Sequence, residues 1–296
     1  MLSTEELDKL KKAGRIAGQA LRLGMDMVAE NVKLIDVADE VESYIRKNGA
    51  KPSFPCNLSI NEEAAHYTPC VNDKKRFELG DVVKVDVGTH IDGWIGDTAG
   101  TVEIGTKSYK QLIESSRMAR DAVMEFVSEG CPMREIGRLI DATIKQNGFK
   151  PIRNLGGHEI RQYLLHAGLN VPNYPDDNNV QAMSGMILAI EPFATNGEGK
   201  IINGRPGNIF KAEAERPLAD PELKEFFNVI KEEFRGLPFC ERWCNDPKAG
   251  QKLNKLVRHG LIKSYPIFVE MKKGCVTQSE HTIYMDGKKA VITTLP

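Results

Sequence analysis

Tryptophan occurs only twice in 296 residues, cysteine six times, and a run of eighteen apolar residues not at all. Without such a run no membrane-spanning helix is expected. The opening MLSTEELDKLKKAG lacks the apolar stretch of a secretory signal, so the cytoplasm is the expected compartment. Cysteines at 56, 70, 131, 240, 244 and 275 are too scattered for a disulfide framework in a chain this long. Cys240-x-x-x-Cys244 has no second Cys/His pair nearby, so buried thiols are expected there rather than a zinc knuckle. An excess of one charge is missing too. Forty Lys/Arg against 41 Asp/Glu leave a net charge of −1, no footprint for nucleic acid or an anionic membrane. What is present is 41% hydrophobic residues, enough at this length for a large core in one big domain or two smaller ones.

The stretch from Gly80 to Val102, GDVVKVDVGTHIDGWIGDTAGTV, reads as a hairpin of two strands, Asp81–Thr89 and Trp94–Val102. Its β-branched residues favour strands, and Asp92-Gly93 is a hairpin turn signal. Each strand carries one acid among apolar neighbours, Asp86 and Asp97. If Ile91-Asp92 form the turn, the two acids pair directly; if Asp92-Gly93 form it, they sit diagonally. Both registers keep them on one face, because side chains alternate with a period of two. At 4–5 Å such a pair repels by roughly 3–4 kcal/mol at an effective dielectric near 20. A cation, a retained proton or escape of one acid to solvent relieves that repulsion.

Around the hairpin, a pattern recurs. Residues 4–29 have helical periodicity and a capping-box signal, Ser3-x-x-Glu6, and residues 34–47 make a second helix ending at Asn48-Gly49. Helices over 108–128 and 133–146 follow, the latter ending at Asn147-Gly148. Asn48-Gly49-Ala50-Lys51-Pro52 matches Asn147-Gly148-Phe149-Lys150-Pro151. Gly80 precedes Asp86 by six residues, as Gly185 precedes Glu191. The chain therefore reads as two copies of helix–helix–loop–strand, each delivering a carboxylate. That predicts a pseudo-twofold α+β domain with a mixed or antiparallel sheet covered by helices. Residues 207–263, rich in charge and helix formers, read as an inserted helical subdomain between catalytic segments 1–206 and 264–296.

Glu280 lies where the repeat places a partner for Asp97. The acid inventory is then Asp86, Asp97, Glu191 and Glu280, with His158 after Gly156-Gly157. Four ionised carboxylates at one point would repel by on the order of 10–20 kcal/mol, which two divalent cations would neutralise. Two such ions also make a hydrolytic centre, and oxygen ligands with one imidazole favour Mn, Fe or Co over a structural zinc. His90 and His281 alternate to the opposite face, and His259 falls on the surface of the insert. His66 and His166 lie in loops near the acids, where a neutral imidazole can bond a substrate carbonyl or oxyanion.

Five runs together resemble the type 2 methionine aminopeptidase family, and the resemblance covers essentially the whole chain. They are Asn61-Glu-Glu-Ala-Ala-His66-Tyr-Thr-Pro69, Lys84-Val-Asp86-Val-Gly-Thr-His90, Gly157-His158 through His166-Ala-Gly168, Ala189-Ile190-Glu191 and Gln278-Ser-Glu280-His-Thr282. The resemblance is to the compact archaeal form of that pita-bread metallopeptidase group. It implies hydrolytic removal of the initiator methionine from nascent polypeptides with a small second residue, N-terminal methionine excision near the ribosome, by a cytoplasmic monomer. It also implies two divalent ions (Co, Mn, Fe or Zn): Asp86 on one, His158 and Glu191 on the other, Asp97 and Glu280 bridging. Glu191 would move a proton from water to the leaving amine. His66 would assist at the leaving nitrogen and His166 bond the carbonyl oxygen. Phe54, Pro55, Leu165 and Tyr265 would form the methionine pocket. Ser279 departs from the family, which carries Phe there. The five-ligand pattern is shared by X-Pro peptidases, leaving that activity, or an inactive binding relative, as the alternatives.

Overall fold

The computed structural model describes residues 1–214, 216–287 and 289–296. Ser3 caps α1 (Thr4–Met27): its Oγ accepts from the Glu6 amide while the Glu6 carboxylate takes the Ser3 amide, the reciprocal pair its spacing predicts. Leu10, Ala13, Ile16, Ala17 and Ala20 line the buried face of α1 at helical spacing. The second helix, α2 (Leu34–Lys47), ends at Asn48-Gly49, with Gly49 at φ +80°. Strands β1 (Lys51–Ile60), β2 (Glu63–Ala65), β3 (Val82–Ile91) and β4 (Trp94–Glu103) follow. β1, β3 and β4 form one antiparallel sheet. Ile91 pairs with Trp94 around Asp92-Gly93, both at positive φ, so the diagonal register is realised: Asp97 stands opposite Gly88 and Asp86 opposite Ala99. α1 lies directly on β4, where a Cβ on Gly96 would come within 2.4 Å of the Gly14 Cα.

The second half repeats the plan. α3 (Lys110–Phe126) and α4 (Met133–Gln146) precede β5 (Lys150–Pro151), β6 (Gly157–Ile160), β7 (Asn170–Val171), β8 (Ile187–Ile190) and β9 (Phe193–Thr195). Ile136, Ile140 and Ile144 of α4 are fully buried, and Gly148 closes it at φ +84° as Gly49 closes α2. Then β10 (Ile201–Ala212), α5 (Pro221–Phe234), β11 (Phe239–Cys240), α6 (Ala249–Arg258) and β12 (Ile262–Glu270) follow, a stretch that contains the segment 207–263 read as an insert. β10 pairs with β12 from Ile201–Glu270 out to Ala212–Ile262, and β12 returns to β2. The division after residue 206 thus falls within β10. The two helices of the insert cover a separate core of Leu223, Phe226, Phe227, Ile230, Phe239 and Leu253.

Strands β13 (Val276–Gln278), β14 (His281–Asp286) and β15 (Lys289–Ile292) complete the fold. β8 pairs with β14 and β9 with β13, and the register does not slip between the two ladders, so Glu191 stands opposite Glu280 in the break between them. Every strand pairing among the described residues is antiparallel, so the mixed sheet is not the arrangement adopted. Among the described residues no helix is long and apolar enough to cross a membrane.

Candidate metal centre

Threonine hydroxyls stitch the two half-sheets together. Thr282 Oγ1 accepts from the Asp97 amide and donates to the Asp97 carbonyl, both at 2.8 Å. Thr98 Oγ1 donates to the Glu280 carbonyl, the Glu280 amide donates to the Ala99 carbonyl, and Thr101 Oγ1 reaches Gln278 from both sides of its peptide. This seam brings the Asp86–Asp97 diagonal against the Glu191–Glu280 pair. Ligand atoms of Asp97, His158 and Glu280 lie within 4.8 Å of one another. His158 Nε2 is 3.7 Å from both Asp97 Oδ2 and Glu191 Oε1, too long for a hydrogen bond. Asp86 Oδ1, Glu280 Oε1 and His158 Nδ1 are buried without partners.

The charges behave as one group. Burial raises the Asp86 carboxyl to about 7. Burial, and then the charge of Asp86, raises Asp97 well above the ordinary range. Glu191 rises for the same first reason and then through Asp97 and Asp86, and Glu280 through burial and then Asp97, Glu191 and Asp86. Buried polar atoms are rarely left unpartnered, and four mutually repelling acids around a spaced imidazole are suited to divalent cations with oxygen-rich coordination. The donor set fits such ions.

Above the acids opens a cavity of about 830 Å³. Its wall includes all the anticipated residues except Pro55, that is Phe54, His66, Asp86, Asp97, His158, Leu165, His166, Glu191, Tyr265 and Glu280. Pro55 is buried in the irregular stretch of β1 between Phe54 and Asn57, where its carbonyl accepts from Asn57 Nδ2. Gly88 makes room for Phe54, since a Cβ there would meet the Phe54 ring at 2.1 Å. His66 sits at φ +69° with Nδ1 3.2 Å from the Pro266 carbonyl, so Nδ1 carries the proton and Nε2 is left as an acceptor. Its ring packs edge-on to Tyr265 and against Phe268. His166 lies 4.3 Å from His158, ring to ring. Burial pushes both His66 and His166 down to about 4, so both are neutral at pH 7.

Two contributions escaped the sequence reading. Gln278 Nε2 donates to Glu191 Oε2 at 3.2 Å and reaches Glu280 Oε2 at 3.5 Å, holding two acids in place. Its signal was present, two residues before Glu280 and so on the same strand face. Ile209 and Pro238 line the cavity from the inserted region, where no local pattern marks them. Ser279, next to Glu280, is buried and its hydroxyl pairs at 3.2 Å with that of Ser116 on α3.

A cavity floored by buried acids and an imidazole, on a doubled antiparallel α+β frame, defines a metallopeptidase. The pattern of Metallopeptidase family M24 matches residues 8–215, and the chain belongs to that family. Within it, the chain is 42% identical to methionine aminopeptidase of Saccharolobus solfataricus, covering 99% of each. Among solved structures, a thermophilic Arx1 superposes with a TM-score of 0.87 at 16% identity, covering 99% of this chain and 91% of the other. Methionine aminopeptidase of Thermotoga maritima superposes at 0.74 with 24% identity, covering 100% and 98%. Both share the pita-bread fold.

Proposed function

We propose that the chain is a methionine aminopeptidase that removes the initiator methionine from nascent polypeptides whose second residue is small. The observation that carries this is the convergence of Asp86, Asp97, Glu191, Glu280 and His158 beneath a cavity with two neutral histidines and an apolar wall. Those five residues would hold the divalent ions, two by our reading. When bound, the ions supply a hydrolytic water at neutral pH and polarise the scissile carbonyl.

The remaining chemistry belongs to the side chains. Burial, and then the charges of Asp97 and Asp86, raise the affinity of Glu191 for a proton, and its place beneath the cavity suits it to carry one from the water to the departing amine. His66 offers Nε2 as an acceptor to an N–H of the leaving nitrogen. His166, neutral and buried, would donate to the carbonyl oxygen as negative charge grows there. Phe54, Leu165 and Tyr265 would enclose the methionine side chain, helped by Ile209, Pro238 and Phe268.

Metal-loaded protein should cleave Met-Ala-Ser faster than Arg-Pro-Pro, as judged by kcat/KM. The reverse order would make it an X-Pro peptidase of the same fold. His166→Ala should lower kcat by roughly 10²–10³-fold, the usual cost of one lost oxyanion donor, with metal content unchanged by elemental analysis. Loss of metal in that variant would place His166 among the ligands instead.

A further inference from the structure

Apart from the four acids, a second buried charge cluster joins the region between β11 and α6 to the segments that carry His66 and Phe54. Arg242, in the short turn Glu241–Trp243 between β11 and α6, has a side chain only 6% exposed and uses all five of its donors. Nε donates to the Pro69 carbonyl at 3.0 Å. One terminal nitrogen reaches Asp39 at 2.6 Å and Glu42 at 2.9 Å; the other reaches Glu42 at 2.8 Å and Thr68 Oγ1 at 3.3 Å. Glu42 also accepts from Trp243 Nε1 and from the Cys56 amide, while Thr68 Oγ1 donates to the Cys56 carbonyl. Asn208 of β10 holds the Thr68 carbonyl.

Three groups of this cluster lie close in sequence to residues of the cavity wall, while Asp39 and Glu42 come from α2. Thr68 and Pro69 follow His66 by two and three residues, and Cys56 follows Phe54 by two. His66 occupies a left-handed backbone conformation, which persists only when its surroundings hold it. We propose that Arg242 is a positioning residue for the hydrolytic site, setting the His66 loop directly and the Phe54 wall through Glu42. A fork of five fixed donors can hold a carbonyl, a hydroxyl and two carboxylates at once, which a lysine ammonium cannot. The insert therefore completes the active site without contributing a reacting group from this turn. This rests on the peptidase reading above.

The test is a double-mutant cycle on Met-Ala-Ser. Arg242→Ala should lower kcat/KM by roughly 10²-fold, through both a lower kcat and a higher KM, as a misplaced wall and imidazole would. In a His66→Ala background the same substitution should change kcat by less than about threefold, because the group it positions is already gone. Additive losses would overturn the proposal. Arg242→Lys should recover thermal stability more than kcat; full recovery of kcat would count against the fork. If Arg242→Ala does not fold, the pair Glu42→Met with Arg242→Met removes both charges at similar volume and carries the same cycle. Hydrogen exchange on metal-free protein gives a readout independent of activity. Amides of residues 67–68 and of Cys56 should exchange faster in the variant while those of β14 stay unchanged, and unaltered protection at 67–68 would sink the idea. Inactive wild-type protein would refute the peptidase reading, yet leave this exchange measurement to decide on Arg242.

Discussion

Asp97→Asn should abolish peptidase activity and, at the same time, make the metal-free protein more stable. Asn keeps the volume and replaces a buried anion by an amide able to donate to the neighbouring acids. Burial raises all four acids; the charge of Asp86 raises Asp97 further, and that of Asp97 raises Glu191 and Glu280. Asn takes no charge, so the repulsion that Asp97 exerts on Glu191 and Glu280 is absent in the metal-free state. With ions present the sign reverses, since an anion at 4 Å from a unit positive charge is worth about 4 kcal/mol at an effective dielectric of 20, roughly a thousandfold in affinity. Elemental analysis should show metal lost, and turnover of Met-Ala-Ser should fall by at least that factor. A melting temperature that drops in the metal-free variant would mean that Asp97 holds the fold together by some other contact. Retained activity would remove it from the metal centre.

Much of this was legible in the sequence because it is local or periodic. The cap at Ser3, the ends of α2 and α4 at Asn-Gly, and the shared face of Asp86 and Asp97 follow from spacing alone. The duplication located Glu191 and Glu280, since a repeated plan returns equivalent strand positions to one place. The choice between the two hairpin registers was not legible: Ile91-Asp92 and Asp92-Gly93 both satisfy the alternation, and the positive φ of Asp92 and Gly93 decides it. Partnerships set by tertiary packing were also hidden. Arg242 meets Glu42 across 200 residues, and nothing near either marks a buried pair. The irregular register of β1 around Pro55 was hidden as well, because a bulge breaks the alternation that sequence reading relies on.

A metal-free preparation should lose stability as pH rises from 6.5 to 8, and a metal-loaded one should gain it. Asp86 is held at about 7 against an ordinary value of 3.8, and Asp97, Glu191 and Glu280 are also raised. A carboxyl whose folded value lies above its unfolded one contributes stability while it keeps its proton, and that contribution drains away as pH climbs through the folded value. The neighbours set the window. Below about 6.5 the buried imidazoles of His66, His90, His166 and His281, all near 4, work in the opposite direction, since unfolding lets them take up protons. Above about 8 the buried Lys84, lowered to about 8, also opposes. Between those limits one to two carboxyl protons are at stake, on the order of 2–4 kcal/mol over the range. For a chain of this size that is a fall on the order of 5 °C in melting temperature. Divalent ions require the same acids ionised and His158 neutral, so their binding releases protons and tightens as pH rises. Thermal melts across pH 6.5–8, with and without saturating Mn²⁺, should therefore diverge. Parallel curves would mean that the four acids do not share one cation site.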